Sequence, residues 1–241
     1  MKLPASSEMF SVSKRPAPDG RSVGSARLWL SAGALAGPVL IVSSLVQGSV
    51  RSGFDFQQHP PSALELGGAG VVQQATFVLA GLLLLAGARG MGVGECGRWA
   101  PGLVAVLGAA LTAAGLFTMD PAFGFPPGTP PGAGDTVSWH AAVHGVLFPV
   151  GGAALVATAV VMGQRYGRAK RRSMQTVAYV AAAASLVLSI WPNLGAHPDG
   201  RFLPMWLGVV IGYLWTSLMF TDLARAAADE SDGRTAAGER A

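Results

Sequence analysis

Six stretches of this chain run for about twenty residues without a single Asp, Glu, Lys or Arg: 28–48, 69–88, 99–119, 139–163, 174–191 and 202–221. A helix rises about 1.5 Å per residue and the hydrocarbon core of a bilayer is roughly 30 Å thick, so about 20 apolar residues cross it. Lipid offers no hydrogen bonds to a bare backbone, so each crossing stretch has to be helical. The expected fold is all-α: a polytopic membrane protein with a bundle of six transmembrane helices. Composition points the same way. Of 241 residues, 51% are apolar and only 12% charged, about half the charged share of an ordinary soluble domain. So many apolar residues exclude disorder for most of the chain. Cys96 is the only cysteine, which excludes an internal disulfide framework.

The basic residues orient the spans. Fifteen of the seventeen Lys and Arg fall in the N-terminal tail, the second and fourth connections and the C-terminal tail; Arg51 and Arg201 alone fall on the other side. Basic residues of short loops stay on the cytoplasmic side. Both termini are therefore expected in the cytoplasm and the loops at 49–68, 120–138 and 192–201 outside, in a multi-pass protein of the cell membrane. The net charge of +4 follows from this topology plus attraction to anionic lipid heads. It calls for no nucleic-acid partner; the bilayer is the expected partner.

Residues 1–27 and 224–241 are polar and are expected to be disordered cytoplasmic tails around a transmembrane domain at 28–223. The charged lead is too long for a cleaved signal peptide. Gly33 and Gly37 form a GxxxG pair, and such small residues let helices approach closely in lipid. Pro38 and Pro149 lie inside spans and are expected to bend them.

All four histidines fall on the expected outer side. His140 and His144 are spaced i, i+4, on one helix face. Two such imidazoles can share a zinc ion, with His59, His197 or Asp120 as the third ligand and an open position for water. Bound zinc would lower the pKa of that water to about 7, and Ser62 or Asp120 would orient substrate or move a proton. Asp55, Glu65 and Gln73 add to the outer-face polar set. Each residue also has a structural role open to it. Ser62 to Glu65 matches an S-x-x-E capping box. Asp120-Pro121 and His197-Pro198-Asp199-Gly200 read as turns. The loop 120–138 is rich in proline and glycine, as a stiff strap or a lid would be.

These segments resemble a known family. Gly37-Pro38, Gln47-Gly48, Phe54-Asp55, His59-Pro60 with Ser62-Ala63-Leu64, Gln73, Phe77 and Gly81, then Gly115-Leu116-Phe117, Asp120-Pro121, Gly124-Phe125-Pro126 and His140 occur in the order seen in the bacterial six-span family known as domain of unknown function 998. The resemblance covers about residues 33–223. It implies a six-helix bundle and no established activity. The set Ser62, Asp120 and His140-x-x-x-His144 is also similar, in residue types alone, to the ceramidase and adiponectin-receptor-like membrane hydrolases.

Three functions compete. The first is a non-enzymatic accessory or ligand- or lipid-contacting membrane protein with a polar His/Asp cluster on its outer face. The second is a zinc-dependent hydrolase of lipid or amide bonds at the outer leaflet. The third is an uncoupled small-molecule transporter, since no span carries the charged group that ion coupling usually employs.

Overall fold

The computed structural model describes residues 20–94, 96–132, 134, 136–191 and 202–238. Seven α-helices and one short 3-10 helix make up the described chain, with no β-strand among the described residues: α1 Gly20–Ala34, α2 Ala36–Val50, the 3-10 helix Pro61–Glu65, α3 Gly70–Val93, α4 Ala100–Ala114, α5 Trp139–Arg168, α6 Arg172–Ile190 and α7 Leu203–Gly238. Among the described residues five helical segments are long and apolar enough to cross a membrane: Gly24–Val50, Gly70–Val93, Trp139–Arg168, Arg172–Ile190 and Leu203–Asp229.

Two expected boundaries move. The stretch expected to span at 99–119 is helical only over Ala100–Ala114, too short at about 1.5 Å per residue for a roughly 30 Å core. The chain leaves α4 at Gly115 and turns. At the other end α7 continues to Gly238, where a disordered tail was expected from residue 224. Ala224, Ala226, Ala227 and Ala228 are strong helix formers, and no proline follows to stop them.

Each helix packs on its neighbours in sequence, and α7 closes the ring on α1 and α2. Small residues set the spacing. A Cβ on Gly33 would stand 2.9 Å from Gly87 Cα, and one on Gly37 would stand 2.5 Å from the Tyr213 carbonyl oxygen. The GxxxG pair thus packs α1 and α2 onto α3 and α7 of the same chain. Gly81 meets Gly108 and Thr112 in the same way, with the Thr112 nitrogen 2.6 Å from a Cβ position. Pro38 has no N–H to give the Ala34 carbonyl, and the first span is interrupted at Leu35 between α1 and α2.

The turn from α5 to α6 is set by Lys170 in the left-handed region (φ 59°). Arg171 N–H donates to the Tyr166 carbonyl and Lys170 N–H to the Gly167 carbonyl, so the last carbonyls of α5 are satisfied in a Schellman arrangement. Beyond it, Arg171 holds Asp222 of α7 through two bonds of 2.7 and 2.5 Å. This arginine-bearing end of the ring is thereby tied across α5, α6 and α7.

At the opposite end the segments 51–69, 115–132 and 136–138 fold together over the ring. Phe54 sits at the centre of an aromatic group. Its centroid lies 5.4 Å from those of Phe56 and Phe125 and 6.2 Å from that of Trp206. Such edge-to-face pairs add to burial and fix this cap on the bundle.

Candidate functional site

Arg51 terminates α2 and reaches back across the cap. Its Nη1 donates to the Leu64 carbonyl at 2.5 Å and its Nη2 to the Leu66 carbonyl, and the guanidinium lies 5.0 Å from the Phe125 ring centroid. The two carbonyls flank Glu65. The clamp holds the 3-10 helix inward, so Leu64 and Glu65 are buried.

The Glu65 carboxyl is completely enclosed, and neither oxygen has a hydrogen-bond partner among the described residues. Burial disfavours the carboxylate and pushes its pKa up to about 9; the Met119 backbone N–H acts weakly the other way, outside hydrogen-bond geometry. The group is therefore protonated at neutral pH. His144 Nδ1 lies 3.5 Å from its Oε2.

His144 stands one turn inside α5. Its Nδ1 lies 2.7 Å from the Phe117 carbonyl, one of the acceptors exposed where the chain leaves α4. A carbonyl only accepts, so Nδ1 carries the proton and Nε2 the lone pair. Nε2 makes no hydrogen bond among the described residues, yet it is not among the fully enclosed polar atoms. It therefore keeps some accessible surface, and His144 forms part of the wall of a cavity.

That cavity, of about 690 Å³, lies within the ring at its capped end, between α2, α4, α5, α6 and α7. Its size is that of a ligand pocket. The wall is mainly Leu, Ile, Val, Ala, Phe and Met side chains; Ser44, Ser62, His144, Ser185, Ser189 and Tyr213 supply polar atoms, and no Lys, Arg, Asp or Glu reaches it among the described residues. Gly145 and Gly152 leave room on the α5 side, where an added Cβ would meet nothing within 4 Å. Pro149 removes the donor that the Gly145 carbonyl would use in an unbroken helix, beside the cavity.

A polar seam between α2 and α3 backs one wall. Gln73 is fully buried and exchanges hydrogen bonds with Ser44 at 2.9 and 3.2 Å. Gln47 Nε2 donates to Gln73 Oε1 at 2.7 Å and to Ser43 Oγ at 3.0 Å, and Ser43 meets Thr76 at 2.7 Å. Such bonds hold helices together where the surroundings are apolar.

The expected site residues are dispersed among different tasks. His59 is buried with both ring nitrogens occupied. Nδ1 accepts from the Asp55 N–H at 2.9 Å, and Nε2 donates to the Phe123 carbonyl at 2.9 Å. Its own carbonyl accepts from Trp206 Nε1 at 2.9 Å. Asp55 caps its local turn by accepting from the Gln57 N–H. His140 is exposed and stacks on Trp139 with centroids 3.6 Å apart. Asp120 accepts from the Ser138 N–H at 2.6 Å, which closes the 120–138 strap at its base and holds the carboxyl below the usual aspartate range. Among the described residues no three His, Cys, Asp or Glu side chains gather as metal ligands. His197, Asp199 and Arg201 lie outside the described residues.

Two expectations are corrected. Glu65 and Gln73 do not belong to an outer polar face; both are buried. The capping box is not formed: Pro60 precedes the 3-10 helix, no side chain caps it, and α3 begins only at Gly70. Ser62 instead lies on the cavity wall. Nothing in the local spacing pointed to Arg51 as a clamp. The available signal was its presence on a side otherwise almost free of basic residues.

A family model described as a protein of unknown function (DUF998) matches residues 34–222. The chain belongs to this family of proteins of unknown function, and its described residues include five helical segments long and apolar enough to cross a membrane. No curated protein and no solved structure matches the chain.

Proposed function

We propose that this is a six-span protein of the cell membrane, with both termini cytoplasmic, that takes an apolar, lipid-class molecule into the cavity at its outer end. The observation that carries this reading is the cavity itself: about 690 Å³ of largely apolar space inside a helical ring, with its few polar groups drawn from helix and cap. Its wall is apolar and its size is that of a ligand pocket, and the surrounding lipid is a ready source of an occupant. The sixth span is α4, extended past Ala114 by the turn at 115–117 and assisted by local thinning of the bilayer. Its orientation follows from the basic residues at 165–172.

Binding is tested by native mass spectrometry of the purified protein released from detergent, with extraction of any retained lipid. One retained apolar molecule per chain is expected, and Gly152→Phe, which fills the cavity, should displace it. Retention unchanged by this variant would remove the cavity as the site. Orientation is tested by labelling single cysteines in intact cells on a Cys96→Ser background. A cysteine at Gly128 should react with an impermeant reagent and one at Lys170 should not; the reverse pattern overturns the topology.

A further inference from the structure

Among the described residues the cavity wall carries no charged side chain. It carries no cationic side chain among the described residues to receive a phosphate or carboxylate head, and an anion left unpaired in apolar surroundings is strongly disfavoured. Its acceptors are better placed than its donors. His144 Nε2 has a lone pair and no partner, because Nδ1 has spent the proton on Phe117. The Gly145 carbonyl, on the same turn of α5, has lost its helical donor to Pro149. Ser62 and Ser44 line the same space with hydroxyls that both give and accept. Behind the imidazole, the enclosed Glu65 carboxyl keeps a second polar group against the histidine without itself reaching the cavity wall.

Resting on the lipid-binding reading above, we propose that the cavity selects a neutral long-chain alcohol, an alkyl or isoprenoid chain ending in a hydroxyl, whose O–H donates to His144 Nε2. The chain occupies the apolar space between α4, α5, α6 and α7, and the hydroxyl sits at the His144 end. A phospholipid or fatty acid fits the volume with part of its chain but brings a negative head to a wall that has no cation among the described residues. A plain alkane fits the walls but leaves Nε2 without a partner.

The test uses the full chain in detergent with three probes of equal length, hexadecanol, palmitate and hexadecane, at pH 7.5. Occupancy is read by native mass spectrometry and by displacement of a fluorescent alkyl probe. Hexadecanol should bind at one per chain and about tenfold more tightly than hexadecane, the worth of one buried hydrogen bond, with palmitate weaker still. His144→Asn keeps an amide N–H for the Phe117 carbonyl while removing the Nε2 acceptor. It should bring hexadecanol down to the hexadecane level and leave hexadecane unchanged. A His144→Asn protein that elutes as the native species and still prefers the alcohol overturns the assignment of Nε2. Equal binding of all three probes, each blocked by Gly152→Phe, overturns the head-group selectivity and leaves the cavity reading standing. Binding of none overturns both.

Discussion

The Glu65 carboxyl lies 3.5 Å from His144 Nδ1, yet that nitrogen already gives its proton to the Phe117 carbonyl at 2.7 Å. The acid is therefore enclosed beside a histidine that is committed elsewhere. An ordinary carboxylate would ionise and remain at the surface. This one is held inside by the Arg51 clamp on either side of it, and burial keeps it protonated.

Stability should fall as pH rises, and Glu65 sets the window. The folded-state pKa is raised to about 9, above an unfolded value near 4.3. The folded protein thus holds a proton that the unfolded chain releases. Its contribution is fully present below about pH 4.3 and is lost progressively up to about pH 9. Glu65→Gln removes this slope. Thermal unfolding in detergent at pH 5, 7 and 8.5 should show wild type losing stability across the series and the variant gaining at least ~1 kcal/mol over wild type at the highest pH. Parallel profiles would exclude a buried, protonated Glu65.

Arg51 should be costly to replace. Arg51→Met leaves the Leu64 and Leu66 carbonyls without their donor and removes the cation from the Phe125 ring. Charged hydrogen bonds are worth about 1.5–3 kcal/mol each, so a loss of about 2 kcal/mol or more is expected in thermal or denaturant unfolding. Arg51→Lys should recover only part of it, because an ammonium lacks the planar fork that spans two carbonyls.

Two glycines should respond in opposite ways. Gly81→Ala places a Cβ 2.2 Å from Thr112 Oγ1 and 2.6 Å from Thr112 N. The second contact is backbone, so α3 and α4 must separate, at about 1–3 kcal/mol. Gly152→Ala meets nothing within 4 Å and should be neutral or slightly stabilising, since alanine is the better helix former. Melting temperatures of the two variants, side by side, check the packing of this helix pair.

The strap at 120–138 should open when its base is cut. Asp120→Ala removes the acceptor of the Ser138 N–H, next to the Ser138 cap that starts α5. Limited proteolysis within 121–137 should quicken several-fold in the variant, with the helical circular dichroism unchanged. Because the bond to Ser138 holds Asp120 below the usual aspartate range, wild type should show the same opening only in acid. The clasp is intact above the ordinary pKa and is lost as pH falls through the depressed one.

The amino-acid sequence by itself determined that this chain is helical and suited to a membrane, because charge-free runs of about twenty residues have no other stable form in lipid. It also marked Gly33, Gly37 and Pro38 as places where helices touch or break. What it left to tertiary structure was the division of labour among the few polar residues. His59 and His144 are the same residue type at the same end of the ring. One is locked at both nitrogens inside an aromatic cap, and the other leaves Nε2 without a hydrogen bond among the described residues. That difference depends on carbonyls contributed by Phe123 and Phe117, at separations of 64 and 27 residues. Local spacing carries no record of such partners. The cavity was equally hidden, because an empty volume belongs to the closure of five helices around it and to no single segment of the chain.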